Sequence, residues 1–205
     1  MQNQDFTTTI LVDQTPHEIF KAITNPRAWW SEEIEGGTDK LNDEFNYRFE
    51  DIHRCRLKIT DIIPDQKVVW LVLDNHFKPG IFEDTSRLMS EWDTKRQNTT
   101  TGTPDDVSNP SHGIDLATNK AEWVDTKIVF EIVEKENKTQ LRFTHLGLVP
   151  EYECFEVCVN GWTHYIRQSL FGFITTGKGL PNSTGAPMTP DEEKFHAYNS
   201  GRQLP

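Results

Sequence analysis

LRFTHLGLVPEYECFEVCVNGWTHYIRQSLFGFITTGKG, residues Leu141–Gly179, changes its apolar period part-way along. In the first part Leu141, Phe143 and His145 alternate with Gln140, Arg142 and Thr144. That is the two-residue period of a strand with one buried face. After Pro150-Glu151 the period becomes helical. Phe155, Cys158, Val159, Trp162, Ile166, Ser169, Leu170 and Phe173 recur at i, i+3, i+4 spacing, which predicts one long helix with a broad apolar stripe. Glu151 and Glu153 suit its positive end, and Gly177-Lys178-Gly179 ends it. From Glu151 to Thr176, at about 1.5 Å per residue, it spans roughly 39 Å, enough to cross a whole sheet. Gly161 and Gly172 interrupt it, each costing about 1 kcal/mol against Ala. Tight packing on a sheet is the expected reason, and the shaping of a pocket is the alternative.

Upstream, Ile128, Phe130 and Ile132 form the strand that pairs with Leu141–His145 through a turn at Glu136-Asn137. Phe45, Tyr47 and Phe49 alternate with Asn46, Arg48 and Glu50. Cys55, Leu57 and Ile59 alternate with Arg54, Arg56 and Lys58, so the basic side chains fall on a solvated face. Lys67 to Leu73 is a nearly continuous apolar strand, and Phe6 to Asp13 a β-branched one. Thr15-Pro16-His17-Glu18 has the form of a capping box with proline in the first turn, opening a short helix with Ile19, Phe20 and Ile23 on one side.

Runs of strands joined by short turns imply antiparallel pairing. One face of such a sheet must be covered, and the stripe beginning at Phe155 is the large apolar surface on offer. The expected class is α+β: a curved antiparallel sheet wrapped around a long C-terminal helix, over residues 1–180. Residues 76–122, rich in Asp, Thr, Ser, Asn, Gly and Pro, read as a polar insertion. Within it Phe82 to Lys95 is loosely spaced for a helix, and Thr99 to Pro110 has the composition of a disordered segment. Residues 181–205 read as an exposed tail.

The chain has 205 residues, enough for a sizeable core without disulfides or metal. Its formal net charge of −11 repels phosphate backbones and anionic surfaces, so neither nucleic acid nor a membrane is an expected partner. Three cysteines, Cys55, Cys154 and Cys158, make no disulfide framework. The N-terminus carries neither a basic start nor an apolar signal core, so the expected location is the cytoplasm. No nucleophile elbow, phosphate-binding glycine loop or zinc-protease motif is present. No cofactor or metal is expected; Cys154 and Cys158, four apart on a helix, lack further ligands.

Phe6-Thr7-Thr8-Thr9-Ile10-Leu11-Val12-Asp13, followed by Thr15-Pro16 and Trp29-Trp30, resembles the opening of the heat-shock-protein-90 ATPase activator homologue family. Leu141–Pro150 and the helix with Gly161-Trp162 resemble its closing segment. The resemblance covers about residues 6–75 and 123–180. It implies the START-like, helix-grip fold of the SRPBCC superfamily, with an apolar cavity between sheet and helix. It implies no single activity, because members of that superfamily bind lipids, hormones or polyketides, and some catalyse cyclisation or dehydration.

A cavity of that kind would be lined by Phe45, Tyr47, Leu57, Trp70, Phe130, Phe143, Phe155, Trp162, Tyr165 and Ile166, whose apolar area and occasional polar tip suit a small hydrophobic ligand. His53 and His145 share strand faces with core residues and point inward. There each serves as ligand contact, as acid–base group, or as a satisfied core histidine. The leading expectation is non-enzymatic binding of a small hydrophobic molecule. The alternatives are a protein-interaction module, with a chaperone as one partner, and a pocket enzyme of cyclase or dehydratase type.

Overall fold

Alternation becomes one antiparallel sheet in the computed structural model, which describes residues 5–82 and 122–201. The strands are β1 (Phe6–Val12), β2 (Glu35–Gly36), β3 (Glu44–Phe49), β4 (His53–Ile63), β5 (Lys67–Phe77), β6 (Lys127–Lys135) and β7 (Lys138–Leu146). They lie in the order β1-β7-β6-β5-β4-β3-β2. Six match the expected strands. The seventh, β2, is a two-residue edge pairing Gly36 with Phe45. There Gly36 adopts a φ of +115°, and an added Cβ would stand 2.3 Å from the Glu44 carbonyl oxygen, so the glycine permits this close pairing.

Register carries the inner face across the sheet: Phe45 opposite Leu57, Ile59 opposite Trp70, Trp70 opposite Ile128, and Phe130 opposite Phe143. Register shifts at Arg56/Leu57 and Ile59/Asp61 interrupt β4. Such bulges bend a strand and raise its twist, which curls the sheet around what lies in its concave side. The helix α1 (Pro16–Ile23) begins as its capping box requires: Thr15 N–H donates to Glu18 Oε2 (2.8 Å) and Glu18 N–H to Thr15 Oγ1 (3.3 Å). A single 3-10 turn, Pro26–Ala28, then delivers Trp29 and Trp30 into the core.

The long helix α2 runs from Phe155 to Thr176, with a π-helical turn over Tyr165–Leu170 between two α-helical parts. Through this turn Tyr165, Ile166, Ser169 and Leu170 keep to the buried face. Gly177, at φ +77°, ends the helix and donates to the Phe173 carbonyl (3.0 Å). The two helix glycines differ. An added Cβ at Gly172 would stand 3.0 Å from the Lys178 carbonyl oxygen, a packed position, whereas at Gly161 it would meet nothing within 4 Å. Tight packing is therefore not what keeps Gly161.

Two expected boundaries shift. The insertion does not begin at residue 76, since β5 continues to Phe77 and Phe82 is buried. At the other end Trp123 is buried in the core. The expected helix over Phe82–Lys95, beyond Phe82 itself, and the expected disorder over Thr99–Pro110 lie outside the described residues. The exposed tail is a correction. Gly179 passes so close to Ala28 that a Cβ would lie 2.0 Å from its carbonyl oxygen. Asn182 bridges to Ser31 and exchanges backbone hydrogen bonds with Trp30 and Glu32. Helix α3 (Pro190–Asn199) then folds back with Phe195 and Ala197 buried. Its sequence is polar with little helical periodicity, which is why composition alone reads it as solvent-exposed.

Candidate functional site

Between the concave face of the sheet and α2 the inner side chains nearly fill the space. Trp29, Trp30 and Trp70 stack at 6.0–6.5 Å between ring centroids. Trp30 also lies 4.4 Å above Tyr47 and 5.1 Å from Trp162. A cavity of about 70 Å³ remains at one end, walled by Tyr47 and His53 from the sheet, Trp30 and Trp123 from the loops, Trp162 and Gly161 from α2, and Phe195 from α3.

Of the expected lining residues, Tyr47, His53, Trp162 and Tyr165 line this cavity. Phe45, Leu57, Trp70, Phe130, Phe143, His145 and Ile166 are buried but outside its wall, and Phe155 is half-buried at the start of α2. They form the packed core beneath it. Trp30, Trp123 and Phe195 belong to the wall without having been expected there. Trp30 stood in a noted pair, Trp123 sits at the edge of a polar run, and Phe195 lies in a segment of tail-like composition.

His145 is fully engaged. The Trp162 indole can only donate, and it donates to His145 Nδ1 (3.0 Å). The ring is therefore the Nε2–H tautomer, and Nε2–H donates to Thr126 Oγ1 (2.9 Å), whose own hydroxyl donates to the Trp123 carbonyl. Burial lowers the His145 pKa to about 3. This histidine is a neutral pin between β7, α2 and the Trp123 turn. His53 is different. Its Nε2–H donates to Asn75 Oδ1 (2.9 Å), its ring stacks on Phe77 (3.9 Å), and one flank borders the cavity. Burial lowers its pKa to about 4, against the opposing effect of the Asn75 hydrogen bond. Both imidazoles are uncharged at neutral pH.

The polar rim is a carboxylate network. Glu192 Oε1 accepts from Tyr165 Oη (2.6 Å) and from Asn182 Nδ2 (2.8 Å), which also donates to Tyr47 Oη (3.3 Å). Burial, followed by the nearby Glu192 carboxylate, raises both phenol pKa values, so neither tyrosine ionises. All three cysteines are free thiols. Cys154 is held protonated by its hydrogen bond with Cys158 and by burial, and Cys55 by burial. Among the described residues no three metal-ligating groups converge, and no helix is long and apolar enough to cross a membrane.

The opposite face of the sheet holds a second concavity, an open groove of about 1170 Å³. Its floor includes Val69 and Val129, and its rims carry matched charges, Lys67 paired with Asp61 (2.9 Å) and Arg142 with Glu131 (3.9 Å).

No family model and no curated protein sequence gives a significant match to this chain. Solved structures do match. The Aha1 dimer of Colwellia psychrerythraea aligns with a TM-score of 0.56 and 20% identity, over 86% of this chain and 99% of that one. The protein SSP2350 of Staphylococcus saprophyticus aligns with a TM-score of 0.51 and 13% identity, over 88% of this chain and 98% of that one. DynU16, from the dynemicin biosynthetic locus, aligns at 0.50 and 11% identity over 84% of this chain, which spans 48% of that protein. The likeness is one of fold: the chain has the helix-grip architecture that its resemblance to the heat-shock-protein-90 ATPase activator homologues implies.

Proposed function

We propose that this protein binds a small hydrophobic molecule, without transforming it, in the space between the curved sheet and α2. The observation that carries this reading is the cavity wall. Indole faces from Trp30, Trp123 and Trp162 surround an opening that Gly161 leaves unfilled, and concave, mostly aromatic surfaces with few polar groups are what such ligands bind. The pocket-enzyme alternative is less favoured because His145, its main residue, has both ring nitrogens committed to neighbours. Native mass spectrometry of gently purified protein, followed by titration with N-phenyl-1-naphthylamine, tests the reading. It predicts either a co-purifying mass or saturable probe uptake that quenches tryptophan fluorescence. The absence of both would contradict it.

A second reading rests on the outer groove. Paired charges on its rims over a floor of valines and threonines suit a protein partner better than a small molecule, and the Aha1 neighbour of the same fold is itself a dimer. Charge reversal at Lys127 and Arg142 would weaken capture of such a partner while leaving probe uptake unchanged.

A further inference from the structure

We propose that residues 187–201 are a built-in cover for the cavity, rooted at the Ser183–Ala186 turn, and that the ligand enters only when α3 swings away from α2 and the Glu50 turn; this rests on the cavity being the binding site. As folded, the cavity measures about 70 Å³, far below the roughly 300–1,000 Å³ of sites that enclose a drug-sized molecule. Some wall must therefore move. The sheet wall is held by ladder hydrogen bonds, and α2 by Trp162, Ile166 and Leu170 in the core and by the Trp162–His145 bond. Of the loop walls, Trp30 stacks on Tyr47 and Trp70, and Trp123 on Trp162; the wall left is α3, which contributes Thr189, Glu192 and Phe195. It buries only Phe195 and Ala197.

The segment is built to stay attached at one end and release at the other. Its root is fixed: Ser169 Oγ donates to the Trp29 carbonyl and accepts from Leu180 N–H, both at 2.6 Å, and Asn182 is bridged to Ser31. The turn that follows belongs to this root: Ser183 and Ala186 exchange backbone hydrogen bonds, Thr184 N–H donates to Glu33 Oε1 (3.0 Å) and Gly185 N–H, at φ +78°, to Glu50 Oε1 (3.4 Å). Beyond that turn the apolar attachments are Phe195, Ala197 and the partly buried Tyr198, and the rest are polar latches for which water competes. Glu50 is met by His196 Nδ1 and by Asn199 Nδ2 (3.1 Å), Glu192 by Tyr165 and Asn182, and Asp191 by Asn160 Nδ2 (3.2 Å). Phe195 stands in the mouth, 6.2 Å from Phe82, where the apolar end of a ligand would otherwise lie. Elements with few buried apolar contacts open at lower free energy than the core.

Cys158 lines the cavity and Cys55 is buried outside it, so the two thiols report local and global opening separately. The experiment is alkylation by N-ethylmaleimide, located by peptide mapping, in the intact protein and in its Glu50→Gln and Phe195→Ala variants. Parallel titrations use N-phenyl-1-naphthylamine. The expected result is at least tenfold faster labelling of Cys158, unchanged labelling of Cys55, and tighter probe binding, since the closed population no longer taxes affinity. Cys158 labelling at the parent rate in both variants, or rising only in step with Cys55, would overturn the cover. Faster labelling of Cys158 alone with no probe uptake by any variant would uphold the cover and overturn the binding reading.

Discussion

At the scale of single residues, His145 and His53 mark the limit of what alternation reveals. Both lie on the inner face that the strand period assigns, and that much was legible from Phe143 and Cys55 beside them. Their roles were not legible, because the partners of His145 are Trp162 and Thr126, 17 and 19 residues away in the chain. The spacing of a sequence does not say which indole N–H will reach which imidazole. The resulting pin has a pH signature. The folded pKa values of His145 and His53, about 3 and about 4, lie below the ordinary 6.5, so below pH 6.5 the unfolded chain takes up protons that the fold refuses. Stability is then full above pH 6.5 and falls as the pH drops towards 4. Each histidine contributes a slope of up to about 1.4 kcal/mol per pH unit. Urea unfolding between pH 7 and pH 4 should show this slope, and His145→Gln should remove about half of it; an unchanged slope in that variant would refute the assignment.

At the scale of elements, one signal was read once and missed once. Thr15-Pro16-His17-Glu18 and Thr189-Pro190-Asp191-Glu192 are the same pattern, and both form capping boxes with proline in the first turn. The first was recognised because Ile19 and Ile23 follow it at helical spacing. The second is harder to read because α3 has no apolar stripe: Phe195 is buried and Tyr198 packs part-buried against the core. A local start signal is thus enough to define a helix whose docking is otherwise polar. Thr189→Ala should cost about 1 kcal/mol, felt first by α3. Hydrogen exchange should then accelerate over Pro190–Asn199 with the amides of β6 and β7 unaffected; equal acceleration in both would mean that α3 and the sheet open together. The end of α2 at Thr176 was legible from its stripe and Gly177, while its start was expected at Glu151 and falls at Phe155. Its π turn was not legible, because hydrophobic spacing cannot tell a continuous α-helix from one that gains a residue at Tyr165–Leu170.

At the scale of the whole molecule, the sheet order and the placement of α2 followed from period, turn residues and the need to cover one face. Cavity size did not follow, because it is the small difference between the volume the sheet encloses and the volume of the side chains within it. Five tryptophans, Trp29, Trp30, Trp70, Trp123 and Trp162, are buried in that space beside Phe45, Phe130 and Phe143. The aromatic richness that suggested a pocket is largely what fills it. What is left open sits where Gly161 contributes no side chain, and this gives the most direct measurement. Gly161→Leu exchanges a poor helix former for a good one, which favours the helix by up to about 1 kcal/mol, and places a side chain in the opening. Binding of N-phenyl-1-naphthylamine should weaken at least tenfold in Gly161→Leu while the melting temperature holds or rises. Equal affinity in the variant and the parent protein would contradict a binding site between the sheet and the long helix.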